Sequence, residues 1–167
     1  FLNELMFTQI PLLALLCNVF LLFTLLSAKK DGSIKAFMGL LVAFILWAGG
    51  AFLMRMQMYP GVNLWWDVSL TGIFLVPYMY FLLFASYTEQ KGSFLKIVFG
   101  IVTLLMVVLN VFNVFMSDPQ VTMVDGKADS VYVVKWPAVL PVLLTVVIFV
   151  CIWRMISKTL RAEDMPV

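Results

Sequence analysis

The stretch AFMGLLVAFILWAGGAFLMRM, residues 36–56, decides the fold. Its 21 residues carry a single charge, Arg55, placed next to the end. A helix that crosses a bilayer needs about 20 mostly apolar residues, since each adds about 1.5 Å to a hydrocarbon layer roughly 30 Å thick. Working outward, residues 7–28, 65–87, 97–116 and 137–156 meet the same requirement. The expected fold class is an all-α integral membrane protein, one transmembrane helical domain over residues 1–167 with a bundle of about five helices. Composition agrees: 63% of residues are apolar, 12% are charged, and the mean hydropathy is +1.05. Soluble domains carry about a quarter charged residues, so this chain lacks the charge to cover a surface facing water.

The connections between the apolar runs are short and polar. Lys29-Lys30-Asp31-Gly32-Ser33 breaks the first pair, Tyr59-Pro60-Gly61 the second, and Thr88-Glu89-Gln90-Lys91-Gly92 the third. The fourth, residues 117–136, is longer. There Val121-Thr122-Met123-Val124 and Val131-Tyr132-Val133-Val134 flank Asp125-Gly126. Two β-branched runs around an Asp-Gly signal predict a small extracellular β-hairpin between helices 4 and 5. The late start of the second run predicts a turn longer than two residues. A two-stranded hairpin is marginal alone in water, so it should rest on the mouth of the bundle.

Basic residues set the expected orientation, because loops on the cytoplasmic side carry the excess of Lys and Arg. With the amino terminus outside and the carboxyl terminus inside, the cytoplasm receives Lys29, Lys30, Lys35, Lys91, Lys96, Arg154, Lys158 and Arg161. The outer side receives only Arg55, Lys127 and Lys135, offset by Asp67, Asp118, Asp125 and Asp129. Trp65, Trp66 and Trp136 mark the outer interface, where amphipathic rings settle. The expected location is the bacterial cytoplasmic membrane, as a multi-pass protein. The chain opens on Phe1 and stops at Met165-Pro166-Val167, and we expect it to be a piece of something longer. The first apolar run has neither a basic leader nor a small-residue cleavage site, which argues against a signal peptide.

Several function classes lose support. The chain has no histidine, which removes the commonest general base and metal ligand. Cys17 and Cys151 lie inside apolar runs and read as small hydrophobes. No lysine sits in the middle of a span for a retinal Schiff base. Paired carboxylates at helical spacing, a Gly-rich phosphate loop and a nucleophile–base pair are also missing. No catalysis, cofactor or metal is expected. The net charge of +2 gives no reason to expect nucleic acid. No internal repeat is visible, so the usual transporter architecture loses support.

Arg55 and Asp67 are the leading candidate residues. They lie at similar depth on helices joined by a short linker, and ionisable groups in spans are costly unless paired or functional. An interfacial ion pair is the plain reading, and a ligand contact is the functional one. Asn110 and Asn113 are expected on neighbouring faces of the outer half of helix 4. Helix–helix hydrogen bonding is the plain reading for both, and for Asn18. Gly49-Gly50 suggests close helix packing. Pro11, Pro77 and Pro141 are kink candidates. The aromatic stripe Tyr78, Tyr80, Phe81, Phe84 and Tyr87 reads as core before it reads as a cation or lipid cage.

Residues 29–92 resemble the amino-terminal seven-helix sensor region found ahead of bacterial histidine kinases and diguanylate cyclases. The features that carry the resemblance run in order. Lys29-Lys30-Asp31-Gly32 precedes Leu46-Trp47-Ala48-Gly49-Gly50-Ala51, and Leu64-Trp65-Trp66-Asp67 follows. Then come Leu70-Thr71-Gly72, Val76-Pro77-Tyr78 and Phe84-Ala85-Ser86-Tyr87-Thr88. In that family the longest outer loop also lies between helices four and five. The resemblance implies two further helices and a cytoplasmic output domain, neither of which is in this stretch. It implies a sensory-input domain of a receptor that binds a small molecule, peptide or lipid at its outer face. The expected contacts are Arg55, Trp65, Trp66, Asp67, Asn110, Asn113 and Trp136. The expected partners are the lipid bilayer, that ligand and, as an open option, a second copy in a homodimer. The alternative is an accessory or scaffold subunit of a membrane complex. A transporter or channel core comes third, because the helices are so uniformly apolar.

Overall fold

The computed structural model describes residues 2–29, 31–88, 93–124 and 127–163. Five long helices dominate: α1 (Leu2–Leu26), α2 (Gly32–Arg55), α3 (Val62–Tyr87), α4 (Ser93–Val111) and α5 (Val139–Glu163). Each is long and apolar enough to cross a membrane, so the chain is a helical bundle of multi-pass membrane type. Between α4 and α5 lie two short segments, β1 (Gln120–Val124) and β2 (Lys127–Val131), and a single 3-10 turn at Trp136–Ala138. Phe1, Lys30, Glu89 to Gly92 (with Lys91), Asp125-Gly126 and Asp164 to Val167 (with Met165-Pro166-Val167) lie outside the described residues.

Helix ends differ from the apolar windows for local reasons. Apolarity marks the hydrocarbon layer, whereas helical hydrogen bonding continues until something caps it. α2 starts at Gly32, ahead of its window, because extended Asp31 caps it: the carboxylate accepts the Ile34 N–H at 2.7 Å. α4 corrects the expected helix over 97–116, since it stops at Val111. The cause is Asn113, which adopts a left-handed φ of 55°. Its N–H donates to Asn110 C=O at 2.8 Å, and the Val114 N–H donates to Leu109 C=O at 3.2 Å. That pair of bonds is a Schellman closure, in which an Asn takes the position usually held by Gly. α2 closes in the same way on Gln57 (φ 48°), with Gln57 N–H to Met54 C=O and Met58 N–H to Leu53 C=O.

β1 and β2 pair antiparallel from Gln120↔Val131 to Val124↔Lys127. This register moves the second run earlier than residues 131–134 and leaves only residues 125 and 126 between the paired stretches. The expected run 131–134 continues past β2 and meets the segment leaving α4. Met116 bridges to Val134, Ser117 N–H donates to Val133 C=O, and Lys135 N–H donates to Phe115 C=O. We call this end of the bundle the capped end.

The helices pack in sequence order: α1 on α2, α2 on α3, and α3 on both α4 and α5. α3 is therefore the hub. It meets α2 at two glycine crossings. A Cβ on Gly50 would lie 2.6 Å from Ser69 N, and one on Gly72 would lie 2.5 Å from Trp47 N. Small residues permit such backbone contact where no hydrophobic force draws helices together in lipid. The Ser69 hydroxyl donates across the same seam to Trp47 C=O at 3.1 Å. On the other side of α3, Phe81 and Ala85 form a buried cluster with Phe99 of α4 and Ile148, Ile152 and Met155 of α5. Phe81 meets Phe99 edge-on, with centroids 4.9 Å apart. Pro11 and Pro77 lie inside continuous α1 and α3, and Pro141 falls in the first turn of α5, where its missing N–H leaves no bond unmade.

Candidate functional site at the capped end

Four chain segments meet at the capped end, and each arrives there for a local reason. The α2–α3 linker turns at Gly61, whose φ of 151° is open to glycine and faces no neighbour within 4 Å. It is held by Trp65, whose indole N–H donates to Met58 C=O at 3.1 Å. The next two residues, Trp66 and Asp67, then sit on the first turns of α3. α4 supplies Asn110 from its last turn, and the Schellman closure swings the chain out through Asn113 toward Phe115.

The structure brings some of the expected residues together. Asn110 is 2% exposed, and its amide nitrogen approaches Asp67 Oδ1 at 3.5 Å. That is the long limit of a hydrogen bond, so the pair is loosely coupled. Trp66 lies against Tyr132, with centroids 4.6 Å apart and planes tilted by 45°. Its indole Nε1 is buried and has no hydrogen-bond partner among the described residues. A buried donor left unpaired costs free energy, so this N–H is free to take an acceptor. The Asp67 carboxylate and the Asn110 amide thus meet between α3 and α4, and the Trp66 indole lies against the segment after β2.

Arg55 closes α2 at an exposed position. Trp136 and Asn113 stand apart from the Asp67–Asn110 pair. Trp136 is 82% exposed at the start of the 3-10 turn and faces away from the bundle. Asn113 contributes its backbone, accepting the Lys135 ammonium on its carbonyl at 2.6 Å. It lies beyond α4, which corrects its expected place on a helical face. Asn18 also differs from expectation: its amide donates within α1, to Ala14 C=O at 2.8 Å. The aromatic stripe is mainly core, as expected: Tyr78, Tyr80 and Phe84 pack against the buried cluster that holds Phe81. Tyr78 donates to Lys96 C=O at 3.2 Å, Tyr80 lies near Phe149, Phe81 is core, and Tyr87 is 77% exposed. It forms no cage.

Sequence reasoning missed the residues that fasten the cap. Phe115 is 1% exposed and packs edge-on against Phe74 of α3 at 5.6 Å. With Tyr132 on Trp66, this gives the cap two aromatic footholds, both on α3. A signal was present, because an Asn near the end of an apolar run is the second choice for a left-handed helix cap. That reading would have released Phe115 from the helix. Among the described residues no three His, Cys, Asp or Glu side chains gather as metal ligands would. The arrangement is suited to holding a polar or aromatic group by hydrogen bonding and stacking. Compared with protein-family models, with curated proteins and with solved structures, the chain matches none of them.

Proposed function

We propose that this chain is the membrane sensory-input domain of a bacterial signalling receptor in the cytoplasmic membrane. In this reading the amino terminus is outside, the carboxyl terminus is inside, and the β1–β2 pair is an extracellular hairpin. A small molecule, peptide or lipid binds at the outer mouth, and the change is relayed to a cytoplasmic output domain outside this chain. The observation that carries the reading is the fastening of the cap to α3 through Phe115–Phe74 and Tyr132–Trp66. α3 packs on α2, α4 and α5, so a displacement at its outer turn reaches every neighbour. The unpaired Trp66 N–H and the Asp67–Asn110 pair supply the recognition chemistry. A ligand biases such a system only by its difference in affinity for two helix arrangements, which a loosely coupled Asp67–Asn110 pair favours.

Two experiments test this. The first is the native reading frame past Val167. Two more spans followed by a kinase or cyclase domain support a sensor, whereas a stop codon favours the accessory-subunit alternative. The second is signalling by the intact protein carrying Asp67→Ala or Trp66→Phe, with folding verified by circular dichroism. Unchanged output from both variants refutes the assignment of the site. Accessibility of single cysteines to a membrane-impermeant maleimide checks orientation: position 59 should react in intact cells and position 158 should not.

A further inference from the structure

On the other side of α3, a furrow opens between α3 and α4 toward the end of the bundle where α4 begins. It has a volume of about 290 Å³ and is lined by Tyr78, Lys96, Ile97, Gly100, Ile101 and Leu104. The geometry points to a binding site for one anionic glycerophospholipid, with its phosphate at Lys96 and an acyl chain laid over Gly100. This rests on the spanning character of the helices and is independent of the sensor reading.

Three observations carry it. First, the furrow exists because residue 100 has no side chain. A Cβ there would lie 2.8 Å from the Tyr78 hydroxyl oxygen and 3.2 Å from its Cζ, so Tyr78 forms the floor that any larger residue would displace. The Tyr78 hydroxyl is fixed in place by donating to Lys96 C=O at 3.2 Å. Second, the walls face outward: Ile97, Ile101 and Leu104 are 59%, 62% and 64% exposed. On a membrane-spanning helix such side chains meet acyl chains. From Lys96 to Leu104 the furrow runs about 12 Å along the helix axis, most of the roughly 15 Å depth of one hydrocarbon leaflet. Third, the lining is asymmetric in charge. Among the described residues that line it, the ionisable ones are Lys96 and Tyr78, with no carboxylate among the six. Lys96 lies in the first turn of α4, where a long basic side chain extends its head to the headgroup layer. A cation at the rim of an apolar slot complements a phosphodiester that carries net negative charge.

The test uses the purified full chain, delipidated in a neutral maltoside detergent. It is offered equimolar dioleoylphosphatidylglycerol and dioleoylphosphatidylcholine and read by native mass spectrometry. One bound phosphatidylglycerol is expected, retained about fivefold over phosphatidylcholine, the scale of one basic residue near an anionic lipid surface. Lys96→Gln should bring that ratio close to one. Lys35→Gln, near the start of α2 at the same end of the bundle but outside the furrow, should leave it unchanged. Ile101→Trp, an exposed position that tolerates bulk, should fill the furrow and lower retention of both lipids. Helical circular dichroism verifies each variant, and Ile101→Trp decides the question if Lys96→Gln does not fold. Equal retention of the two lipids by the unmodified chain overturns the proposal. So does an equal loss of preference with Lys35→Gln, which would indicate diffuse surface charge. Displacement of the bound lipid by glycerol 3-phosphate would overturn the lipid assignment in favour of a site for soluble phosphate.

Discussion

Adding one methyl group to the second helix discriminates sharply between adjacent positions. In Gly50→Ala the new Cβ would sit 2.6 Å from Ser69 N, 2.8 Å from Trp65 O and 2.9 Å from Ser69 Cα. All three are backbone atoms of α3, so no rotamer change relieves the contact. Against the 3.4 Å at which ordinary contact begins, the shortfall is 0.8 Å, and α3 must retreat by about that much. A gap of 0.5–1 Å forfeits a quarter to a half of the dispersion energy of the atoms that separate, and overpacking of this kind costs about 1–3 kcal/mol. The Ser69–Trp47 hydrogen bond across the same seam adds roughly 0.6 kcal/mol when stretched. Replacing Gly by Ala in a helix returns about 1 kcal/mol, which leaves a net loss of about 0.6–2.6 kcal/mol. Gly49→Ala receives the same helical benefit but meets only Leu15 Cδ1 at 3.5 Å, an ordinary side-chain contact. It should be neutral or stabilising by up to about 1 kcal/mol. Equilibrium unfolding in mixed micelles, followed by tryptophan fluorescence, should separate these neighbouring variants by about 2–3 kcal/mol. Equal stability of the two would refute the backbone-to-backbone crossing of α2 and α3.

Other expected outcomes follow from the same geometry. Gln57→Gly should raise thermal stability by about 1 kcal/mol, because Gly occupies φ of 48° without the penalty of a Cβ; a lower melting temperature would contradict the left-handed closure of α2. Phe115→Ala should cost about 3 kcal/mol, the price of truncating a buried Phe, and should increase proteolysis between residues 117 and 136; unchanged cleavage would show that the cap is held by something other than Phe74. Tyr132→Ala should shift Trp66 emission by removing its ring neighbour, measured in a variant whose other four tryptophans are Phe; an unaltered spectrum would remove the second foothold. A double-mutant cycle on Asp67→Ala and Asn110→Ala should give a coupling below about 1 kcal/mol, because 3.5 Å is long for a hydrogen bond; a coupling of about 2 kcal/mol or more would mean that the pair closes tightly in the membrane.

The spans were legible without the fold, because the cost of leaving backbone polar groups unpaired in hydrocarbon acts on every residue of a window at once. Twenty apolar residues around Trp47 require a helix in lipid whatever surrounds them. Length and hydropathy therefore determined five helices and the polar breaks between them. They did not determine where each helix ends, since a cap depends on one residue and its hydrogen bonds. Asn113 reads as another polar residue in an apolar run, and only its left-handed φ shows that α4 has finished.

The candidate site was legible in part for a related reason. The sequence placed Arg55 and Asp67 at similar depth and Asn110 in the outer half of its helix, because depth is a count along each helix. It did not determine lateral neighbours, because a helix apolar on every side gives no preference for one face. In water an amphipathic stripe would have pointed each helix at the core. In lipid, packing rests on the shapes of small residues and on scattered hydrogen bonds. Tertiary structure alone thus decided that α3 is the hub, that Gly50 and Gly72 are its crossings with α2, and that Asp67 meets Asn110 while Trp136 faces outward.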